Sequence, residues 1–226
     1  MTRTDLTHLY FLLDRSGSMQ SIASDTEEGF AAFIAEQRAT CSGDCRVTLA
    51  QFDNEYELVY AERPLADVPP LELMPRGSTA LLDAMGRLIT DAGARLAALS
   101  EEERPGTVVV AVMTDGWENA SSEWTHPAIR ALVEQQTTKY GWQFMYMGAD
   151  QDAVEVGTSI GVSADNSITY SRGRARDVMA AASREVSDLR YARSEDVTAS
   201  LAGFSDEVRE AVVDEDDPAP RTRRRR

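Results

Sequence analysis

Short unbroken apolar runs alternate along this chain with longer segments whose apolar residues recur every three or four positions. The runs "HLYFLLD" (8–14), "RVTLAQFD" (46–53), "YELVYAE" (56–62), "TVVVAVMTD" (107–115), "WQFMYMGA" (142–149) and "NSITY" (166–170) predict six strands, the last of them at an edge. The β-branched run at 107–115 is of the kind buried on both faces in mid-sheet. Helical spacing places Phe30, Phe33, Ile34 and Gln37 on one face of a helix over 25–38. It places Leu81, Met85, Leu88, Ala92, Leu96 and Leu99 on one face of a helix over 79–99. Further helices are predicted over 128–140, from an N-cap at Asp150 to about Ile160, and through Val178, Ala182, Val186 and Leu189.

Strands alternating with helices predict a parallel sheet covered on both faces. The strands at 46–53 and 56–62 are separated only by Asn54 and Glu55, so they form an antiparallel hairpin. The Pro-rich link over 63–77 cannot be regular throughout. This organisation gives one domain over 5–193. Residues 194–226 read as a mostly disordered tail, because "DEDDPAPRTRRRR" sets an acidic block beside a basic one around prolines. Fixed structure is expected to stop near residue 196, apart from a short helix within 205–213.

The 226 residues are 42% hydrophobic, enough for a real core. A formal net charge of −15 argues against nucleic acid as a partner. No apolar run approaches the roughly 20 residues a membrane helix needs, so no membrane partner is expected. Asp5 and His8 break any signal-peptide pattern, and a cytoplasmic location is the expectation. Cys41 and Cys45 in "CSGDC" read as reduced thiols between a helix and a strand. The alternatives are a small-loop disulfide or half of a zinc site, the latter short of ligands in a chain whose histidines are His8 and His126.

In an open α/β sheet, functional groups gather at the C-terminal ends of the strands. Three such ends carry oxygen side chains here. Asp14, Ser16 and Ser18 follow the first strand, Ser78 and Thr79 open the long helix, and Asp115 ends the most apolar strand. The spacing 14, 16, 18 suits a tight loop in which Gly17 relaxes the backbone. Hard oxygen donors without imidazole or thiolate suit Mg²⁺, Mn²⁺ or Ca²⁺. The competing reading is that Asp14 and Asp115 merely cap the turns that follow them.

The three pieces "DRSGS", "GSTAL" and "TDG" resemble the metal-ion-dependent adhesion site of von Willebrand factor type A domains. The family pattern is Asp-x-Ser-x-Ser, a distant Thr, and an Asp after the central strand, and all three pieces match in order. The resemblance covers about residues 6–192, and "TDGWENAS", "YGWQFMYMGADQDAVEVG" and "REVSDLRYAR" are similar to bacterial, intracellular members. It implies a doubly wound, mostly parallel six-stranded sheet in order 3-2-1-4-5-6, with strand 3 antiparallel and helices on both faces. It implies one divalent cation, Mg²⁺ or Mn²⁺, held by Asp14, Ser16, Ser18, Thr79 and Asp115. The hydroxyls of Ser16, Ser18 and Thr79 would touch the metal directly, with the two carboxylates acting through water or adjacent hydrogen bonds. A partner protein's Asp or Glu would then fill the open position, commonly within a multi-protein complex.

Two other readings compete with this one. In the first, the metal serves stability alone. In the second, Asp14 is the nucleophile of a haloacid-dehalogenase-type phosphotransferase. Against the second, Ser16 stands where that chemistry needs an acid/base Asp, and the single lysine, Lys139, falls at the far end of a helix. Gly-x-Ser-x-Gly and a P-loop are also absent, so no enzyme activity is expected. Near the rim, Asp53 reads as a hairpin-turn residue and Glu118 and Asn119 as caps. Trp117 is read equally as a buried ring or an interface anchor.

Overall fold

The computed structural model describes residues 2–149 and 151–214. The strands are β1 (Arg3–Asp14), β2 (Asp44–Phe52), β3 (Tyr56–Pro64), β4 (Pro105–Thr114), β5 (Gln143–Ala149) and β6 (Ser167–Tyr170). They form one sheet in the order β3-β2-β1-β4-β5-β6, with β3 antiparallel to β2 and every other pair parallel. The helices are α1 (Ala23–Thr40), α2 (Leu81–Ala98), α3 (His126–Tyr140), α4 (Ala153–Ser159), α5 (Ala175–Glu195) and α6 (Asp206–Ala211). None of the helices among the described residues is long and apolar enough to cross a membrane.

The alternation of side chains along each strand divides the core in two. Leu9, Phe11 and Leu13 of β1, with Val109, Ala111 and Met113 of β4, pack against α1 and α5. Tyr10 and Leu12, with Val108, Val110 and Val112, face α2 and α3. Phe30 and Phe33 of α1 meet Phe11 edge-on at 5.0 Å, an arrangement that suits the ring quadrupoles. The expected apolar faces of α1 and α2 are buried as read, except that Leu99 lies beyond the end of α2 and is only partly buried.

Two element ends differ from expectation in ways that bear on the site. The helix expected from Thr79 begins at Leu81, which leaves Thr79 in the loop. The Asp150 cap lies outside the described residues; α4 is capped by Asp152, which accepts from Glu155 N at 2.9 Å.

The chain also continues against the sheet past the boundary expected at 193. Phe204 and Val212 are buried in the α1/α5 half of the core. Arg209 of α6 donates to the carbonyls of Ser167 at 2.7 Å and Asp165 at 2.8 Å, and Val212 O accepts from Ser171 N at 2.9 Å. Arg174 pairs with Asp214 at 2.7 Å. The short helix expected within 205–213 is α6, but the segment around it is packed, not loose. Its grip rests on two apolar residues and on hydrogen bonds to backbone carbonyls, which composition does not register. Most of "DEDDPAPRTRRRR", residues 215–226, lies outside the described residues.

Candidate metal centre

Chain order radiates outward from β1: β2 lies on one side and β4 on the other, so the crevice of this sheet opens between the C-terminal ends of β1 and β4. The register pairs Leu13 with Met113, which sets Asp14 beside Thr114 and puts Asp115 one residue beyond. Asp14 is fully buried, and Ser16, Thr79 and Asp115 are nearly so, while Ser18 is exposed. The site therefore opens to solvent over Ser18.

All five sequence-predicted residues converge. Asp14 Oδ1 accepts from Ser16 N at 2.6 Å, which folds the loop back over the strand end. Ser16 Oγ and Ser18 Oγ lie 3.0 Å apart, and Ser18 Oγ donates to Asp115 Oδ1 at 2.6 Å. Thr79 joins from the far loop. The position a Cβ would take on Gly116 is 2.5 Å from Thr79 Oγ1 and 3.4 Å from both Asp14 Oδ2 and Ser18 Oγ. Three oxygens from two chain segments thus face one small space beside a third segment, a space that only glycine leaves open.

Neighbouring residues fix these donors. Thr114 Oγ1 donates to Asp14 Oδ2 at 2.6 Å and accepts from Gly116 N at 3.1 Å. Asn119 holds Thr79 from both sides: its Oδ1 accepts from Thr79 N, and its own N–H donates to Thr79 O, each at 3.0 Å. Glu118 accepts from Leu82 N and Ser121 N, tying the start of α2 to the loop after β4. Asp83 accepts from the N–H groups of Ser122, Glu123 and Trp124 and pins the same loop. Glu118 therefore caps the following turn, as read, whereas Asn119, also read as a cap of that turn, bonds across to Thr79 instead; Thr114 and Asp83 were not singled out. Their partners lie 39 to 100 residues away, and the signal for Thr114 was its place in "TDG".

Asp53 is a hairpin residue, accepting from Glu55 N at 2.7 Å. It is also the buried centre of an ion-pair cluster, with Arg15 Nε at 3.0 Å and Arg76 Nε at 2.7 Å; Arg15 pairs in addition with Glu57. Arg15 O accepts from Arg76 N, and Gly17 N donates to Gly77 O at 3.2 Å. Gly77 has φ +68, a conformation glycine adopts without strain. These contacts clamp the Asp14–Ser18 loop to the one carrying Thr79. Trp117 is 57% exposed, which removes the buried reading. Arg172, half-exposed, sets Nη2 3.8 Å from Asp115 Oδ2.

Burial pushes the Asp14 carboxyl up to about 6, against the hydrogen bonds from Thr114 and Ser16, and the nearby charge of Asp115 adds to the rise. A divalent cation would offset that cost, and the set of two carboxylates and three hydroxyls fits a hard, oxygen-preferring ion. Of the two histidines that a zinc site at the cysteines would need, His8 has its Nε2 bonded to Thr48 Oγ1 at 2.8 Å. Among the described residues no group of three or more His, Cys, Asp or Glu side chains gathers for a metal.

Fold and strand order define the class: this is the von Willebrand factor type A fold. Neither a protein-family model nor a curated protein sequence matches the chain. Among solved structures it is similar to a von Willebrand factor type A protein from Catenulispora acidiphila, with 13% identity over 79% of this chain and 42% of that one, at a TM-score of 0.52. It is similar to proximal thread matrix protein 1 of the mussel byssus, solved with a zinc-occupied MIDAS motif, with 16% identity over 82% and 45% and a TM-score of 0.54. The pilus adhesin SpaC of Lactobacillus rhamnosus GG gives 13%, 80%, 30% and 0.59 in the same order. This chain thus spans less than half the length of each. At these identities the likeness is one of fold.

Proposed function

We propose that this chain is a metal-dependent protein-interaction module in which Asp14, Ser16, Ser18, Thr79 and Asp115 hold one divalent cation, Mg²⁺ or Mn²⁺, for a partner's Asp or Glu side chain. The observation that carries this reading is the shared space above Gly116, faced by Thr79 Oγ1, Asp14 Oδ2 and Ser18 Oγ. When bound, the cation supplies an electrophilic position that a carboxylate can complete. The chain's own residues set how strongly that position attracts. Ser16, Ser18 and Thr79 are neutral donors, while Asp14 and Asp115 already accept short hydrogen bonds from Thr114 and Ser18. The carboxylates would thus act mainly through these neighbours and water, with the neutral hydroxyls as the direct donors to the cation. Exposed Trp117 and the guanidinium of Arg172 flank the opening and would contribute to partner choice.

The zinc-occupied motif of the mussel protein and the adhesin role of SpaC support a metal-held, partner-binding use of this fold. No catalytic turnover belongs to the proposal. Ser16 stands two residues after Asp14, and Lys139 sits in the last turn of α3, over the Tyr140 ring, at the N-terminal strand ends opposite the site. A cytoplasmic location of the bacterial, intracellular type and assembly into a multi-protein complex complete the reading. The test is a pull-down from the source organism in Mg²⁺ and in EDTA, with Thr79→Ala as control. At least one partner should be lost in EDTA and with Thr79→Ala while the circular dichroism spectrum stays unchanged. An identical partner list in all conditions would leave the metal a structural role only.

A further inference from the structure

At the N-terminal ends of the parallel strands, opposite the candidate metal centre, α1 ends and β2 begins within five residues, Cys41 to Cys45. Cys41 N donates to Gln37 O at 2.9 Å and closes the helix, and Cys45 is the second residue of β2, with its side chain in the core. The turn between them is pinned at Gly43, where a Cβ would stand 2.3 Å from Asp5 O, so the connection lies flat on β1. The Cys41 thiol donates to Gly43 O at 3.4 Å within this turn, and Cys41 and Cys45 line the same cavity. Cys41 is half-buried, and both sulfurs border a surface cavity of about 520 Å³ with Arg38 and Leu65. Neither cysteine is in a disulfide.

We infer that Cys41 and Cys45 are a redox-active thiol pair, with Cys41 the group attacked first by a hydroperoxide entering the cavity and Cys45 the resolving thiol. The asymmetry of the pair assigns these roles. Cys41 lines the cavity and is the more exposed of the two, and the neighbouring Cys45 thiol pulls its thiol down to about 6, helped by the charge of Arg190. Cys45 is only 4% exposed, and the neighbouring Cys41 sulfur together with burial raises its thiol.

The chemistry balances. The Cys41 thiolate attacks one peroxide oxygen, the O–O bond breaks, and a sulfenic acid forms as the alcohol or water leaves with a proton. The Cys45 sulfur then attacks the Cys41 sulfur, the S–O bond breaks, and the hydroxide leaves as water with the Cys45 proton. Two thiols are oxidised by two electrons and one peroxide is reduced. The disulfide would tie the end of α1 to the start of β2. Because β2 has nine residues, at about 3.3 Å each the pair lies roughly 25 Å from the candidate metal centre.

The test adds hydrogen peroxide to the reduced full chain and follows maleimide labelling, intact mass and peptide mapping. Both thiols should disappear together, with a mass lower by two hydrogen atoms and a linked 41–45 peptide that dithiothreitol reverses. Cys45→Ala should stop at a dimedone-reactive sulfenic acid on Cys41, and Cys41→Ser should slow oxidation of Cys45 by about tenfold or more. The inference is overturned if the wild type keeps both thiols at peroxide doses that oxidise Cys45→Ala. It is equally overturned if Cys41 goes to sulfinic acid with no linked peptide, or if Cys41→Ser reacts as fast as wild type.

Discussion

A methyl group on Gly116 would stand 2.5 Å from Thr79 Oγ1, closer than real Cβ contacts come. Gly116→Ala should therefore displace Thr79 and lower divalent-cation affinity by about a hundredfold, roughly 3 kcal/mol. The metal-free melting temperature should change little, because the clash falls in the space proposed for the ion. Calorimetry and thermal denaturation of the variant check both halves. A second residue-scale prediction concerns His8, which is buried against Thr48 and stacked on Tyr10 at 4.0 Å. Burial, and then the charges of Arg46 and Arg95, push its pKa down from 6.5 to about 3. The unfolded chain takes up this proton first. The stability contributed by neutral His8 is thus complete above pH 6.5 and is lost as pH falls toward about 3, at up to about 1.4 kcal/mol per pH unit. Urea unfolding of wild type and His8→Gln between these limits should differ by that slope; parallel pH curves would contradict it.

The five oxygen side chains were legible in the sequence because each sits in a short motif, four of them at or just past a strand end and Thr79 in the loop before α2. Thr114, Asn119 and Asp83 were not legible as the residues that hold those donors. Their partners are set by register and loop packing: Thr114 meets Asp14 from 100 positions away. Trp117 was undecided for the same reason, since exposure of a loop ring depends on what packs beneath it.

At the scale of elements, periodicity found all six strands and the main helices, and it failed at boundaries. The helix expected at Thr79 starts at Leu81 because Thr79 is engaged by Asn119 through both backbone groups. The C-terminal segment departed further. Arg209 caps carbonyls of the loop before β6, and Phe204 is 5% exposed. Phe204→Ala should cost about 3 kcal/mol of stability. Arg209→Ala should cost about 1 kcal/mol, because the carbonyl of buried Ser167 would lose its donor. Denaturant unfolding measures both, and values near zero would mean that residues 199–214 do not hold to the sheet in solution.

For the whole molecule, alternation of strands and helices implies a parallel sheet but leaves strand order open; the order came from the resemblance, and the β1–β4 register realises it. That order brings the β1 and β4 ends together, and with them the two buried carboxylates. The central claim is that this crevice holds one divalent cation through five oxygens. Isothermal titration of Mg²⁺ and Mn²⁺ into the metal-free full chain, run beside Asp14→Ala and Gly116→Ala, tests it most directly. The wild type should bind one equivalent of at least one ion, with binding abolished in Asp14→Ala and about a hundredfold weaker in Gly116→Ala. A wild type that binds neither ion, or variants that bind as tightly as wild type, would contradict the account.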